Sequence, residues 1–160
     1  MRCFDRVKLL MAEILHSVRI AAPPQRVFDA ISTPDGIAHW WTDDSTSEPR
    51  AGSVSVFKFM QGRIVFRMHV DAFNPPRHLA WTFLGDYDSW EGTTLSWDLE
   101  PAGDTGTILN LAHRGWRSTE GEFSECSTSW GRLLSLLKDH VEGRSVRPPE
   151  SGRKDSGHGS

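Results

Sequence analysis

The spacing of hydrophobic and polar residues changes twice along the chain, which divides it into extended and helical segments. Residues 13–21 alternate apolar and polar side chains, a pattern that predicts a first strand. Residues 23–31 begin with two prolines, and their apolar positions follow helical spacing. A second short helix is predicted between Thr33 and the Trp40-Trp41 pair. Residues 42–50 are polar and indicate a loop.

From residue 54 onward the period is two, as in strands that bury one face. Val54 and Val56 lie on one face of this strand and Phe57 and Phe59 on the other, which predicts a β-bulge near Val56. The clearest strand places Ile64, Phe66, Met68, Val70 and Ala72 on one face. Further strands are predicted over residues 79–83, 94–100 and 108–113.

The last element is a long amphipathic helix. Its apolar stripe is Cys126, Trp130, Leu133, Leu134, Leu137 and Val141. Gly131 lies inside this helix, where glycine often permits a close backbone approach. The element order predicts an α+β fold, in which a curved antiparallel sheet wraps around the C-terminal helix and two short helices follow the first strand.

Composition bounds the domain organisation and the class of protein. The 160 residues, 38% of them hydrophobic, suit one globular domain over residues 11–145. Residues 1–10 are interpreted as an N-terminal extension, and residues 146–160, rich in Pro, Ser, Gly and charge, as a disordered tail. The net charge of -3 argues against a nucleic-acid partner. No apolar run approaches the ~18 residues of a membrane span, so no membrane partner is expected.

Metal and cofactor sites are not expected. Cys3 and Cys126 lie in neither a metal-binding nor a redox spacing, and reduced thiols in a cytoplasmic protein are the simpler interpretation. The sequence has no glycine-rich phosphate loop between a strand and a helix and no nucleophile elbow.

Seven tryptophans against one tyrosine are the most informative feature of the composition. Rings of this size either fill a core or line a cavity, and single residues of this type are more often plain core. The cavity hypothesis predicts a wall made of Trp41, Phe57, Phe59, Phe66, Met68, Trp81, Phe83, Trp97, Trp116, Phe123, Trp130 and Leu134.

Few polar residues are candidates for chemistry. His113 could act as a general base, although a structural histidine at a strand end is the more ordinary interpretation. Glu91 could guard a cavity mouth as an acid–base group, and Asp86 and Asp88 lie in the same polar hairpin tip. Other polar candidates are weaker: Arg63 and Arg67 as partners of a ligand carboxylate, and His39 and His69.

Five local phrases in order resemble the START-like, or helix-grip, superfamily, in the branch named for heat-shock-protein ATPase-activator homologues. They are VRIAAPPQRVFDAI (18–31), WWT (40–42), WEGTT (90–94), HRGW (113–116) and CSTSWG (126–131). The resemblance covers residues 13–145 and implies a sheet that grips the C-terminal helix around a mostly apolar cavity. It also implies hydrophobic ligands such as lipids, hormones or polyketides.

The first functional hypothesis is therefore a binder of a small hydrophobic molecule that catalyses no reaction. The alternatives are a cyclase- or dehydratase-type enzyme and a chaperone-associated or regulatory interaction module. A protein partner is left open, and so is the choice between monomer and homodimer.

Overall fold

The computed structural model describes residues 12–85 and 88–146. The strands are β1 (Ala12–Ile20), β2 (Ser45–Thr46), β3 (Val54–Phe59), β4 (Ile64–Asn74), β5 (His78–Leu84), β6 (Thr94–Ala102) and β7 (Gly106–Trp116). The helices are α1 (Pro24–Ser32), α2 (Pro34–Ile37) and α3 (Glu122–Val141). The predicted 1–10 extension, and all but the first residue of the predicted 146–160 tail, lie outside the described residues.

The strands form one antiparallel sheet in the order β1-β7-β6-β5-β4-β3-β2. Apolar residues alternate along β5, β6 and β7, so one face of the sheet is buried and the other is solvated. Helix α3 covers the buried face and contributes Trp130, Leu133, Leu134, Leu137 and Val141 to the core. The α+β architecture predicted from the sequence is confirmed.

Local chemistry sets the ends of the helices. Pro24 occupies the first position of α1, where its fixed φ suits a helix and no backbone N–H is needed. Thr33 follows α1 and caps α2, because its hydroxyl oxygen accepts a hydrogen bond from Gly36 N at 3.0 Å. Gly143, with a φ of 88°, follows α3 and allows the chain to leave the helix.

The predicted bulge near Val56 is wrong. Strand β3 pairs with β4 in continuous register from Val54↔His69 to Phe59↔Ile64. Ser55 is buried in line with Phe57 and Phe59, while Val54 lies on the exposed face. A small hydroxyl residue therefore takes an inner position, which breaks the apolar alternation without breaking the ladder. The register shift occurs instead in β4, between Val70 and Ala72.

The C-terminal half of α3 is fastened to strand β1 by charged side chains. The Glu142 carboxylate accepts hydrogen bonds from Lys138 Nζ at 2.6 Å and from Ala21 N at 2.8 Å. These bonds lower the pKa of Glu142 to about 2. Lys138 Nζ also donates to Arg19 O at 2.7 Å, so a lysine covers this part of the sheet edge.

Gly131 has no close neighbour that requires the absence of a side chain. A Cβ atom there would approach His16 Cε1 at 3.5 Å, an ordinary van der Waals distance. Because alanine favours a helix interior, we expect Gly131→Ala to stabilise the protein by roughly 0.5–1 kcal/mol in urea denaturation. A lower free energy of unfolding would contradict this prediction.

Gly115 provides the contrasting variant. Its φ is +90°, and a Cβ atom there would lie 2.8 Å from Gly92 O. Gly115→Ala should therefore destabilise the protein by more than about 1 kcal/mol in the same assay.

Candidate functional site

The candidate site is a cleft of about 380 Å³ at one end of the sheet. It lies between the hairpin of β3 and β4 and the N-terminal half of α3. Its apolar lining consists of Trp41, Phe59, Ile64, Phe66, Trp90, Cys126, Trp130 and Leu133. Its polar lining comes entirely from α3: Glu122, Glu125, Ser129 and Arg132.

Stacked rings give the cleft its walls. Phe66 and Trp90 stack with their ring centroids 4.4 Å apart. Trp130 on α3 stands next to both neighbouring walls, with its ring centroid 5.4 Å from that of Trp41 and 6.2 Å from that of Trp90. Three different parts of the chain therefore converge on one aromatic surface.

The middle of the sheet, by contrast, is filled by rings. Trp81 and Trp97 pack edge to face at 5.7 Å, and Trp97 packs against Trp130 in the same way at 5.7 Å. Trp40 closes the other side of Trp97 at 6.1 Å. A gap of about 10 Å³ touches Trp81 and Phe57. The cleft therefore lies at the end of the sheet, beyond these packed rings.

His113 connects two walls of the cleft through buried hydrogen bonds. Trp130 Nε1 donates to His113 Nδ1 at 3.1 Å. His113 Nε2 lies 3.0 Å from Thr93 Oγ1, and that hydroxyl donates to Trp90 O at 2.6 Å. The imidazole thus links the indole of α3 to the backbone that carries the Trp90 ring.

These partners fix the tautomer of His113. Because Nδ1 accepts the indole N–H, the imidazole proton must lie on Nε2, from which it is donated to Thr93. The ring is fully buried, and desolvation lowers the pKa of His113 to about 3. His113 is therefore neutral near pH 7 and is a poor general base.

Cys126 is held in its unreactive form. Its Sγ lies 3.9 Å from His113 Nδ1. Burial and then the Glu122 carboxylate raise the pKa of Cys126 to about 12, although the Trp130 and Trp90 side chains act in the opposite direction. A protonated thiol beside a neutral imidazole is not a nucleophile–base pair.

Four of the predicted wall residues line the cleft: Trp41, Phe59, Phe66 and Trp130. Six others lie in the buried core outside it: Phe57, Met68, Trp81, Phe83, Trp97 and Leu134. The remaining two, Trp116 and Phe123, pack edge to face at 5.6 Å and do not line the cleft.

The polar candidates from the sequence do not enter the cleft. Glu91 is exposed, and so are Arg63 and Arg67. His69 contacts Asp71 on the solvated face at 2.7 Å, and His39 stacks on His140. Asp86 and the side chain of Asp88 lie outside the described residues.

Sequence reasoning missed Trp90 and the polar side of α3 as lining residues. Trp90 lies in a single 3-10 turn, Asp88–Trp90, where no periodicity marks the direction of a side chain. The α3 residues did carry a signal. Glu122, Glu125, Cys126, Ser129 and Leu133 follow the spacing of one helical face, next to the apolar stripe.

A groove of about 290 Å³ beside α1 contains none of the predicted site residues. Within residues 12–85 and 88–146, no three His, Cys, Asp or Glu side chains are grouped so that they could hold a metal ion. No helix in the same ranges has the length and apolar character of a membrane span.

A curved antiparallel sheet closed over a long C-terminal helix, with a cleft between them, defines a START-like domain. Residues 21–142 match the family described as Activator of Hsp90 ATPase homolog 1-like protein. The chain belongs to this family.

Solved structures agree with the assignment. The Aha1 dimer of Colwellia psychrerythraea is 30% identical, with a TM-score of 0.76 over 83% of this chain and 98% of that one. A protein from Mesorhizobium loti is 19% identical, with a TM-score of 0.72 over 82% and 97% of the two chains. CalU16 from Micromonospora echinospora is 24% identical, with a TM-score of 0.67 over 85% and 78%. No curated protein matches the chain.

The buried neutral His113 predicts a specific loss of stability in acid. The imidazole titrates near 6.5 in the unfolded chain and near 3 in the folded one. Between these values only the unfolded chain binds the proton. The free energy of unfolding should therefore fall with decreasing pH, by up to about 1.4 kcal/mol per pH unit from this group.

The variant His113→Asn tests this prediction, because its amide oxygen can still accept from Trp130 while it cannot titrate. The stability gap is the difference in the free energy of unfolding between the wild type and the variant. Measured by urea denaturation, this gap should narrow as the pH falls from 7 to 4. A gap that stays constant over this range would contradict the prediction.

Proposed function

We propose that this protein binds a small, mostly apolar molecule in the cleft between α3 and the β3–β4 hairpin and that it catalyses no reaction on that molecule. The supporting observation is the cleft itself, about 380 Å³ in volume and walled by aromatic rings. This volume lies within the range of ligand pockets, which are mostly apolar with a few polar groups. The START-like fold of the chain supports the same proposal.

The chemistry of the lining favours binding over catalysis. A cyclase or dehydratase needs an acid–base group that can exchange a proton with the substrate. His113 lies behind the Trp130 and Trp90 walls, and both of its ring nitrogens have protein partners. Glu91 is exposed outside the cleft. Neither of the predicted acid–base candidates is therefore placed to act on a bound molecule.

A variant that fills the cleft tests the proposal without disturbing the core. Ser129 is exposed and lines the cleft, so Ser129→Trp should occupy the space of the ligand. A panel of lipophilic molecules, measured by native mass spectrometry and intrinsic tryptophan fluorescence, should bind the wild type. Any molecule that binds should lose at least about tenfold in affinity in the variant, which corresponds to ~1.4 kcal/mol.

Ser135→Trp is the matched control. Ser135 is exposed on the same helix but does not line the cleft, so this variant should bind like the wild type. Failure of the whole panel to bind the wild type would overturn the proposal. Equal binding by the wild type and Ser129→Trp would place the ligand elsewhere and would overturn the assignment of the cleft.

Self-association through β1 is a second candidate function. This strand forms one edge of the sheet, and no other described strand pairs with its outer side. Its Leu15 is 62% exposed, more than any other large apolar side chain in the described part of the chain. Lys138 covers this edge at Arg19, whereas Leu15 lies four residues away, and an exposed apolar residue on an edge strand favours pairing with a second copy. The similar Colwellia protein is described as a dimer.

Light scattering coupled to size-exclusion chromatography tests this candidate. The wild type should elute as a dimer at about 100 µM, and Leu15→Lys should shift it to the monomer, because a lysine side chain opposes edge pairing. Met60→Lys, a substitution of another exposed apolar residue away from β1, should leave the dimer intact. A monomeric wild type would exclude dimerisation at this concentration.

A further inference from the structure

The outer edge of β1 is closed at its C-terminal end by side chains of α3. Arg19 O accepts a hydrogen bond from Lys138 Nζ at 2.7 Å, and Ala21 N donates one to Glu142 Oε2 at 2.8 Å. Both backbone groups therefore point away from β7, the strand that pairs with β1. Because α3 satisfies them within one chain, they are not available to a second strand.

The direction of these two groups fixes the direction of the groups before them. In an antiparallel ladder the N–H and C=O of one residue point to the same side, and successive residues point to opposite sides. The register shift in the β1–β7 pair adds its extra residue to β7, because two steps along β1 match three along β7. Glu13, Leu15 and Ser17 therefore present their backbone groups to the outer side, as Arg19 does.

These three residues form the open part of the edge. Within residues 12–85 and 88–146, their outward N–H and C=O groups form no hydrogen bond. An unpaired row of backbone groups is a template for another strand. Leu15 lies in the middle of the row, and its side chain is 62% exposed on the solvated face of the sheet. The open part of the edge therefore combines free backbone groups with an apolar side chain at its centre.

A two-fold axis at Leu15 makes this row complementary to itself. In an antiparallel pair about that axis, Leu15 faces Leu15 of the second copy, and Glu13 faces Ser17. Each residue then exchanges both hydrogen bonds with the residue opposite, and every bond uses a free group. The two exposed leucines become direct cross-strand neighbours and bury each other. No like charges face one another in this register.

The next register along the strand is less complete. With the axis at His16, Glu13 would face Arg19 of the second copy. The backbone oxygen of Arg19 already accepts from Lys138, so one bond of that pair could form only if the lysine were displaced. Leu15 would also lose its apolar partner. The contacts of α3 with the edge therefore favour the register centred on Leu15.

We propose that a second copy of this chain pairs with β1 in one register, antiparallel about a two-fold axis at Leu15, and that Lys138 and Glu142 end the pairing at Arg19. This inference rests on the self-association proposed above and adds its register and its limit. The product is one continuous sheet with seven strands from each copy. Both α3 helices lie on the same face of that sheet.

Engineered disulfides test the register. Leu15→Cys places two thiols directly opposite each other, with Cβ atoms about 4.5–5.5 Å apart, close to the separation that a disulfide bridges. Ser17→Cys is the matched control, because Ser17 is also exposed but would lie about 13 Å along the ladder from its own copy. Under mild oxidation, Leu15→Cys should form a covalent dimer at least about tenfold faster than Ser17→Cys. The wild type, with Cys3 and Cys126, gives the background rate.

Hydrogen–deuterium exchange tests the same pairing without a substitution. Raising the wild-type concentration from about 5 µM to about 500 µM should slow exchange of the amides of Glu13, Leu15 and Ser17 by about tenfold. Electron-transfer fragmentation resolves the single amides. The amide of Ala21 is the internal control, because Glu142 already binds it within one chain, so its exchange should not depend on concentration.

The outcomes separate the register from the self-association on which it rests. A dimer in which Leu15→Cys and Ser17→Cys crosslink equally fast overturns the register but keeps β1 as the interface. A dimer whose amides at positions 13, 15 and 17 stay unprotected overturns β1 as the interface, and the register with it. A chain that remains monomeric at the higher concentration overturns both proposals. The same holds if these amides are equally protected at both concentrations, because the edge is then covered within one chain.

Discussion

The hydrogen bond from the Trp130 indole to His113 joins helix α3 to the sheet at the place where the cleft begins. From the other side of the same imidazole, a bond to Thr93 continues to the backbone of Trp90. All of these groups are buried, so breaking one link leaves a polar atom without water and costs more than the bond alone. One neutral ring therefore fixes the positions of two aromatic walls.

The two halves of α3 are held to the sheet in different ways. The C-terminal half is fastened to β1 by Lys138 and Glu142, whose hydrogen bonds reach the strand backbone. The N-terminal half begins after Gly121, has no side-chain cap, and is joined to the sheet through Trp130 and through Ser127, whose Oγ lies 3.3 Å from His16 Nε2. Trp81 and Trp97 fill the middle of the sheet, and the cleft lies beyond them, beside the N-terminal half of the helix. The position of the cleft follows from the packing of the largest side chains.

Periodicity predicted the strands well because the sheet buries only one face. It failed at β3, where the buried Ser55 carries no apolar signal although it points inward like Phe57. The same pattern showed which face of the sheet a side chain lies on, but it could not show the position of that side chain along the face. Trp81 and Phe66 share the inner face, yet one lies at the filled centre and the other at the open end. Trp90 lies in a turn, and only the fold brings it against Phe66.

The buried titratable groups of the site are uncharged, and its charged side chains are exposed. Burial keeps His113 neutral and contributes most to keeping Cys126 protonated, so each group is held in its uncharged form by the same desolvation. The ionised side chains of the lining belong to the exposed residues Glu122, Glu125 and Arg132. Under the proposed function, an apolar body would enter without meeting an unpaired buried charge. This division agrees with the proposed binding function, because neither His113 nor Cys126 changes its protonation state near neutral pH.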